Sequence, residues 1–364
     1  MIVTVSPNPA LDLTWRVDRI EAGTTHRVPS GRARAGGKGL NVARVLHQQE
    51  HSVVAVTTVG GATGTEFTSE LVESALAHVL VPVAASTRRS IALYDTSNDE
   101  TSIFNEFGDA SSDAEWHSLL TAISEALATA SCVVGSGSLP QSSSAAAAGF
   151  DPNTFYPHIV ELAVARGIPS IIDTSGTALI AAASAGATVL KPNREELVSA
   201  TGIDDPILAA RSLLQRGASL VLVSLGSAGM VALSSSDPHG YLSARLPGAL
   251  AGNATGAGDA AVAAIAACFA EHASGTSVQS VGTRDESLKI AKAQGATVTT
   301  PAGDTIGVEA ILRRATAWSA AAVLMPLAGE ISPEHAGLGT QLIIEHHGYD
   351  HVPSQTLRPT EIRS

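Results

Sequence analysis

Asp259 is the residue with the clearest chemical potential. It closes the run Gly252-Asn-Ala-Thr-Gly-Ala-Gly-Asp259 and leads into Ala260 to Ala270, an apolar stretch with the composition of a helix buried on most sides. Gly256, Ala257 and Gly258 would present consecutive backbone N–H groups at the positive end of that helix, a hole suited to a migrating phosphoryl group. A carboxylate in a first helical turn also simply favours the dipole, by about 0.3–1 kcal/mol. Beside an anion hole the same carboxylate can instead accept the proton of an attacking hydroxyl.

Three further segments have spacing that chemistry can use. Ala35-Gly-Gly-Lys-Gly-Leu-Asn-Val-Ala-Arg-Val-Leu46 places small residues before a helix whose apolar face is Val42, Val45 and Leu46, leaving backbone N–H groups free for a sugar or phosphate. Tight helix–sheet packing with Lys38 solvated is the alternative. Because Gly39 follows Lys38 where a Walker A loop needs Ser or Thr, a P-loop is excluded. In Leu190-Lys-Pro-Asn-Arg-Glu-Glu-Leu197, Asn193 and Glu196 stand three apart. That spacing makes either a capping box or an amide–carboxylate pair for a magnesium–water cluster. Ser224-Leu-Gly-Ser-Ala-Gly229 is either a plain turn or a nucleotide-contacting loop.

The elements that must hold these segments alternate. Short β-branched runs at 2–5, 53–59, 132–134, 170–172, 188–190, 220–224 and 230–233 are separated by helical stretches at 40–49, 65–77, 113–130, 155–166, 193–201 and 206–216, the rhythm of βα units on a parallel sheet. Residues 13–33 and 89–107 break it with alternating patterns and few helix signals, as expected for a small separate sheet. They read as a lid inserted in the α/β domain. Residues 141–152 read as a mobile loop. After about Ala317 the pattern weakens into scattered Pro and Gly, an expected irregular extension.

Composition narrows the function. Of 364 residues, 22 are Lys or Arg and 34 Asp or Glu, and the net charge of −12 is the wrong sign for a broad nucleic-acid face. Only four of the 22 are lysines: Lys38, Lys191, Lys289 and Lys292. The N-terminus reads as a strand and not a signal peptide, and no apolar run reaches the ~20 residues that span a bilayer, so a cytoplasmic protein without a membrane partner is expected. Cys132 and Cys268 lie in apolar surroundings and read as buried small hydrophobes. Glu345-His-His-Gly-Tyr-Asp-His351 lacks a metal-site spacing and reads as solvated.

Taken in order, Ser6-Pro-Asn-Pro-Ala-Leu-Asp12, Gly36-Gly-Lys-Gly-Leu-Asn-Val-Ala-Arg-Val-Leu46, Ser136-Gly-Ser-Leu-Pro140, Lys191-Pro-Asn-Arg-Glu-Glu-Leu197, Ser224-Leu-Gly-Ser-Ala-Gly229 and Thr255-Gly-Ala-Gly-Asp259 resemble the ribokinase-like (PfkB-type) carbohydrate kinases, in the branch that holds 1-phosphofructokinases and tagatose-6-phosphate kinases. The resemblance covers residues 1 to about 315. It implies a three-layer α/β/α domain over 1–317 with a mostly parallel central sheet and a β-sheet lid, followed by an extension, 318–364. It implies transfer of the ATP γ-phosphoryl group to a sugar phosphate with Mg²⁺ present, fructose 1-phosphate being the leading acceptor and tagatose 6-phosphate or fructose 6-phosphate the competitors. A non-catalytic sugar-phosphate sensor is the reading from another class. By the same resemblance Asp259 is the general base and Gly256, Ala257 and Gly258 form the hole. Asp12, Gly37 and Asn41 meet the sugar, Ser138 lies on its floor, and Lys38, Arg88 and Arg27 pair with the acceptor phosphate. Lys191, Asn193, Glu196, Ser224, Gly226 and Gly229 contact ATP, with Glu196 and Asn193 reaching Mg²⁺ through water. A homodimer through the lid is expected. Ala260, Ser90 and Lys292 depart from the residue types common at their positions.

Overall fold

Strand β1 (Ile2–Ser6) is buried along its whole length, the mark of a strand covered on both faces. In the computed structural model, which describes residues 1–98, 100–141, 149–275 and 295–348, β1 lies between β4 (Val53–Val59) and β8 (Cys132–Ser136), parallel to both. The sheet continues in parallel through β5 (His78–Pro82) on one side and β9 (Ser170–Asp173), β10 (Val189–Leu190) and β11 (Leu220–Ser224) on the other. Strands β12 (Met230–Ser234), β13 (Gly240–Arg245) and β16 (Ile343–Gly348) add antiparallel to complete 10 strands.

Alternate residues of each strand feed two cores. In β11, Leu220 and Leu222 pack under α1 (Lys38–Gln48), α2 (Gly61–Glu73), α8 (Ala257–Ala273), α9 (Val308–Val323) and α10 (His335–Gln341). Val221 and Val223 pack under α3 (Asp113–Ala126), α4 (Phe155–Ala165), α5 (Gly176–Ser184), α6 (Arg194–Thr201) and α7 (Pro206–Arg216). This is the three-layer α/β/α arrangement. Helix α8 is buried without a break from Asp259 to Phe269, and its alanines let α1, α9 and the sheet approach it. A hairpin, β14 (Thr297–Thr299) with β15 (Thr305–Gly307), leads into α9.

The lid is a separate 4-stranded sheet in the order β3 (Arg32–Gly36), β2 (Ala10–Val17), β6 (Arg88–Asp95), β7 (Glu100–Asn105). Against the expected stretches 13–33 and 89–107, β2 starts earlier, β3 runs past residue 33, β6 and β7 occupy 88–95 and 100–105, and residues 18–31 carry no strand. Most of the expected mobile loop, residues 142–148, lies outside the described residues, as do Lys292 and residues 349–364.

The chain beyond 317 differs from the irregular extension expected. Helix α9 runs on to Val323, α10 packs on it through buried Leu338, and β16 pairs with β13 over its full length. The strand was hard to read because Glu345, His346 and His347 follow Ile343 and Ile344 without alternation, and an edge strand needs none. His346 meets Asp237 at 3.1 Å, and His347 stacks on Tyr241 with ring centroids 4.6 Å apart. Cys132 and Cys268 are buried and unpaired, and burial pushes their thiols up to about 12 and about 11, which leaves both inert. No helix among the described residues is long and apolar enough to cross a membrane.

Candidate active site

Parallel strands of one sheet end on the same side, so their last residues converge. Ser6, Ser136 and Asp173 end β1, β8 and β9, Lys191 follows β10 and Ser224 ends β11, and all five line one cleft of about 1200 Å³. The lid supplies the facing wall with Ala10, Asp12, Arg88, Ser90 and Asn105. The cleft has two characters. Towards the lid it is hydroxyl-, amide- and charge-lined, while beyond α8 it is bounded by Met230, Leu246, Leu250, Ala320 and Val323 with the Gly226 to Gly229 turn. Such a space suits one polar and one flat, partly apolar ligand end to end.

The first turn of α8 lies where the two halves meet. Gly256 is its N-cap at φ +84°, a left-handed conformation that side-chain-bearing residues adopt only at a cost, and no side chain caps the helix. The N–H groups of this turn therefore have no side-chain cap to compete with an anion. Lys191 adds charge to the same place, since a Cβ built on Gly258 would lie 3.3 Å from its Nζ. Asp259 is 6% exposed, and Asn41 Nδ2 of α1 donates to its Oδ2 at 2.8 Å. Burial, reinforced by the charge of Asp173, pushes the Asp259 carboxyl up to about 7, against the opposing pull of Lys38, the Asn41 bond and Lys191. The Ala257 N–H makes a 3.2 Å turn bond to Ala254 O, which leaves the Gly256 and Gly258 N–H groups for an anion, and a carboxylate near neutrality beside them can take a proton from a hydroxyl whose oxygen attacks a group held in the hole.

Asp12 occupies the lid side. Gly36 on the neighbouring strand makes room for it, since a Cβ there would stand 1.9 Å from Asp12 Oδ2. Burial pushes Asp12 up to about 6, while Arg88, Arg34 and a bond from Ser90 hold it back. The Arg88 guanidinium is fixed by two backbone carbonyls: Nε and Nη2 donate to Asn8 O at 3.3 Å and Nη1 to Glu106 O at 3.2 Å. Asn8 in turn donates to Ser138 Oγ at 3.1 Å. Ser138 and Gly37 line the cleft, as expected.

Two expectations change. Arg27 is exposed and does not line the cleft, because residues 18–31 form no strand to carry it inward. Lys38 lines the cleft but already faces carboxylates, with Glu196 Oε1 at 3.0 Å and Asp173 Oδ2 at 3.5 Å. Burial opposes its charge, yet Asp173, Glu196 and Asp259 outweigh burial and hold the ammonium ionised. Its charge first balances the protein's own acids. Asn193 and Glu196 do form a capping box: Glu196 N donates to Asn193 Oδ1 at 2.7 Å and Asn193 N to Glu196 Oε2 at 3.0 Å. Both side chains still line the cleft, so the cap and the ligand role share one geometry.

Asp173 escaped the reading of the sequence. It is buried between Lys38 and Lys191, each 3.5 Å away, and Ser136 donates to it at 3.3 Å. Although burial alone would raise it, the two ammonium groups and Ser136 hold it below the usual carboxylate range. The available signal was a carboxylate ending the apolar run Ser170-Ile-Ile-Asp173 at the carboxyl end of a parallel strand.

A family model for pfkB family carbohydrate kinases matches residues 8–311. The chain is 34% identical over 280 residues to a 1-phosphofructokinase of Xanthomonas campestris, covering 74% of this chain and 85% of that one. It is 33% identical over 270 residues, 72% of this chain and 76% of the other, to an ATP-dependent 6-phosphofructokinase isozyme 2 of Mycobacterium tuberculosis. Phosphofructokinase-2 from Escherichia coli, solved in complex with potassium, superposes with a TM-score of 0.76 at 24% identity over 93% of this chain and 98% of that one.

Proposed function

The chain belongs to the pfkB family of carbohydrate kinases, and from that membership we propose that it transfers the ATP γ-phosphoryl group to the 6-hydroxyl of fructose 1-phosphate, giving fructose 1,6-bisphosphate and ADP. The observation that carries this reading is Asp259: a buried carboxylate raised to about 7, held by Asn41 in the first turn of α8 beside the Gly256 to Gly258 donors. In the transfer, the bond from the sugar oxygen to the γ-phosphorus forms as the bond to the bridging oxygen of ADP breaks, and the hydroxyl proton goes to Asp259. The gain comes from positioning and from fixed donors aimed at the developing charge.

Asp12, Asn41 and Gly37 meet the sugar in this reading, Arg88 with Asn8 and Ser138 holds the acceptor phosphate, and Lys191, Ser224, Gly226 and Gly229 serve the nucleotide. Lys38 is assigned the junction of the two ligands, where it balances Asp173 and Glu196 and can turn towards a phosphoryl oxygen as charge moves across. The donor set also fits Mg²⁺, a hard cation held through one or two carboxylates plus water and phosphate: Glu196 and Asp173 supply the carboxylates, Asn193 an amide oxygen, and Asp173 Oδ1 is buried without a hydrogen bond, facing the Lys191 ammonium at 3.5 Å. When bound, Mg²⁺ would neutralise phosphate charge. We place the protein in the cytoplasm, where ATP is supplied. The lid edge strand β7 is exposed throughout, with Phe104 turned away from the cleft that Ile103 and Asn105 line, and we place a second copy of the chain against it.

Fructose 6-phosphate is the second acceptor to weigh, given the Mycobacterium relative. An ADP-release assay over fructose 1-phosphate, fructose 6-phosphate and tagatose 6-phosphate ranks the three by kcat/KM. The highest value is expected with fructose 1-phosphate. A higher value with another replaces the acceptor, and no turnover with any overturns the reading in favour of a sensor.

A further inference from the structure

Arg34 stands on lid strand β3 directly across from Asp12 on β2. Its side chain leaves the lid. Nη1 donates to Ala328 O at 2.9 Å and to Glu330 Oε1 at 3.2 Å, and the arginine side chain is 19% exposed. Residues 324–334 connect α9 to α10, far from the lid in sequence. Two points flanking its middle are fastened: Asn253 Nδ2, in the loop before α8, donates to Pro326 O at 3.2 Å, while Gln48 of α1 exchanges two bonds with Ile331 at 2.8 and 2.9 Å. Between them Arg34 supplies the side-chain hydrogen bonds to Ala328 and Glu330, while Asn41 and Arg44 pack against Gly329.

That middle forms the wall behind the anion hole. A Cβ built on Gly256 would lie 2.8 Å from Ala328 Cα and Cβ, and one built on Gly329 would lie 3.2 Å from Asn41 Cα and Oδ1. Ala328 therefore backs the N-cap of α8, and Gly329 backs the residue that donates to Asp259. An unbroken line of contact runs from Asp12 through Arg34 and Ala328 to Gly256.

We propose that Arg34 is a positioning residue for phosphoryl transfer, joining the lid strand that carries Asp12 to the wall behind the hole so that acceptor and γ-phosphoryl group are brought into register together. The inference rests on reading Gly256 to Gly258 as that hole. An acceptor engaging Asp12 sets the position of β2 and hence of Arg34. The guanidinium then fixes Ala328 against Gly256. Arg34 does not line the cleft, so its loss removes no contact to the acceptor; its charge does help to hold the Asp12 carboxyl down, so binding and turnover should separate when both are measured at alkaline pH, where Asp12 stays ionised.

The test compares Arg34→Met, Arg34→Lys and Glu330→Gln with the wild type in steady-state kinetics and in hydrogen exchange with a non-hydrolysable ATP analogue bound. With Arg34→Met, kcat should fall at least about tenfold while the acceptor KM moves less than about threefold. Arg34→Lys, which keeps a donor for Ala328 O, should recover most of the loss. Exchange across residues 253–258 should be faster in Arg34→Met than in the wild type. An unchanged kcat and exchange, whatever the melting temperature, would reduce Arg34 to a structural brace and overturn the proposal. A raised acceptor KM at constant kcat would overturn it too, by placing Arg34 in the acceptor pocket. If Arg34→Met does not fold, Arg34→Gln, whose shorter side chain gives up the bond to Ala328 O, is read by the same criteria, while Glu330→Gln, which leaves that bond in place, should keep kcat and exchange near the wild type. If the wild type phosphorylates no sugar phosphate, the kinase reading fails, and the exchange arm still decides whether Arg34 braces the hole.

Discussion

As the proposed base, Asp259 can remove a proton only in its charged form, so its ionised fraction limits how much enzyme can react. With its carboxyl raised to about 7, kcat/KM should fall as pH drops below neutrality, along a limb centred near that value. Asp259→Asn should erase the limb and slow turnover by about 10²–10⁴-fold while ATP still binds. Near-normal turnover would remove Asp259 from the chemistry. Lys38 is among the groups that hold Asp259 down, so Lys38→Met should move the limb of the residual activity to higher pH. Asp12 gives a stability test with a definite sign. Its folded value, about 6, lies above the ordinary 3.8, so the fold favours its neutral form, and that contribution is complete below about pH 4 and lost as pH rises through about 6. Asp12→Asn should therefore raise the melting temperature more at pH 8 than at pH 5, while weakening acceptor binding. Asp259, Asn41 and Asp12 were legible because each sits in a run of unusual residues. Asp173 was not, since its partners, Lys38 and Lys191, are brought to it only by the ordering of β9 and β10 beside α1.

At the scale of the element, the first turn of α8 is where one methyl group has different consequences at neighbouring positions. Gly256→Ala forces a side chain onto φ +84° and within 2.8 Å of Ala328, where both backbone and side chain resist. The strain alone costs about 1–2 kcal/mol, so stability and turnover should drop together. Gly258→Ala meets only the Lys191 Nζ at 3.3 Å, the far end of a flexible chain, inside a regular helix. Its melting temperature should change little or rise, while kcat falls because the methyl displaces the ammonium from the hole. Paired melting and rate measurements separate the two, and equal stability losses would refute the account. This helix was readable in advance because its buried alanines continue directly from the Gly-rich turn. The lid was readable as a break in rhythm, but the pairing of β2 with β6 in parallel was not. Hydrophobic alternation fixes which face a residue takes and leaves the strand order to contacts between distant segments.

Across the whole molecule, the sheet ends on a strand that the sequence concealed. Strand β16 covers β13 from Gly240 to Arg245, and β13 leads directly to Leu246, Ala249 and Leu250 on the apolar end of the cleft. A chain ended at Leu342 would leave β13, with its buried Leu242 and Ala244, as an open edge, a template for pairing with other copies. It would also lose the contacts of His346 with Asp237 and of His347 with Tyr241, which hold the turn before β13 and the strand itself. Compared with a chain ended at Gly348, it should melt lower and aggregate at lower concentration. Its KM for ATP should rise while that for the sugar phosphate stays nearly constant, because the lid and the lid-side cleft do not touch β16. Equal rises in both constants would mean that the sheet edge supports the domain generally. Equal melting would mean that β13 stands without cover. The selective loss is expected because the two halves of the cleft are built by different parts of the chain, the proposed acceptor half by the lid and α1, the proposed nucleotide half by β11 to β13 and α9.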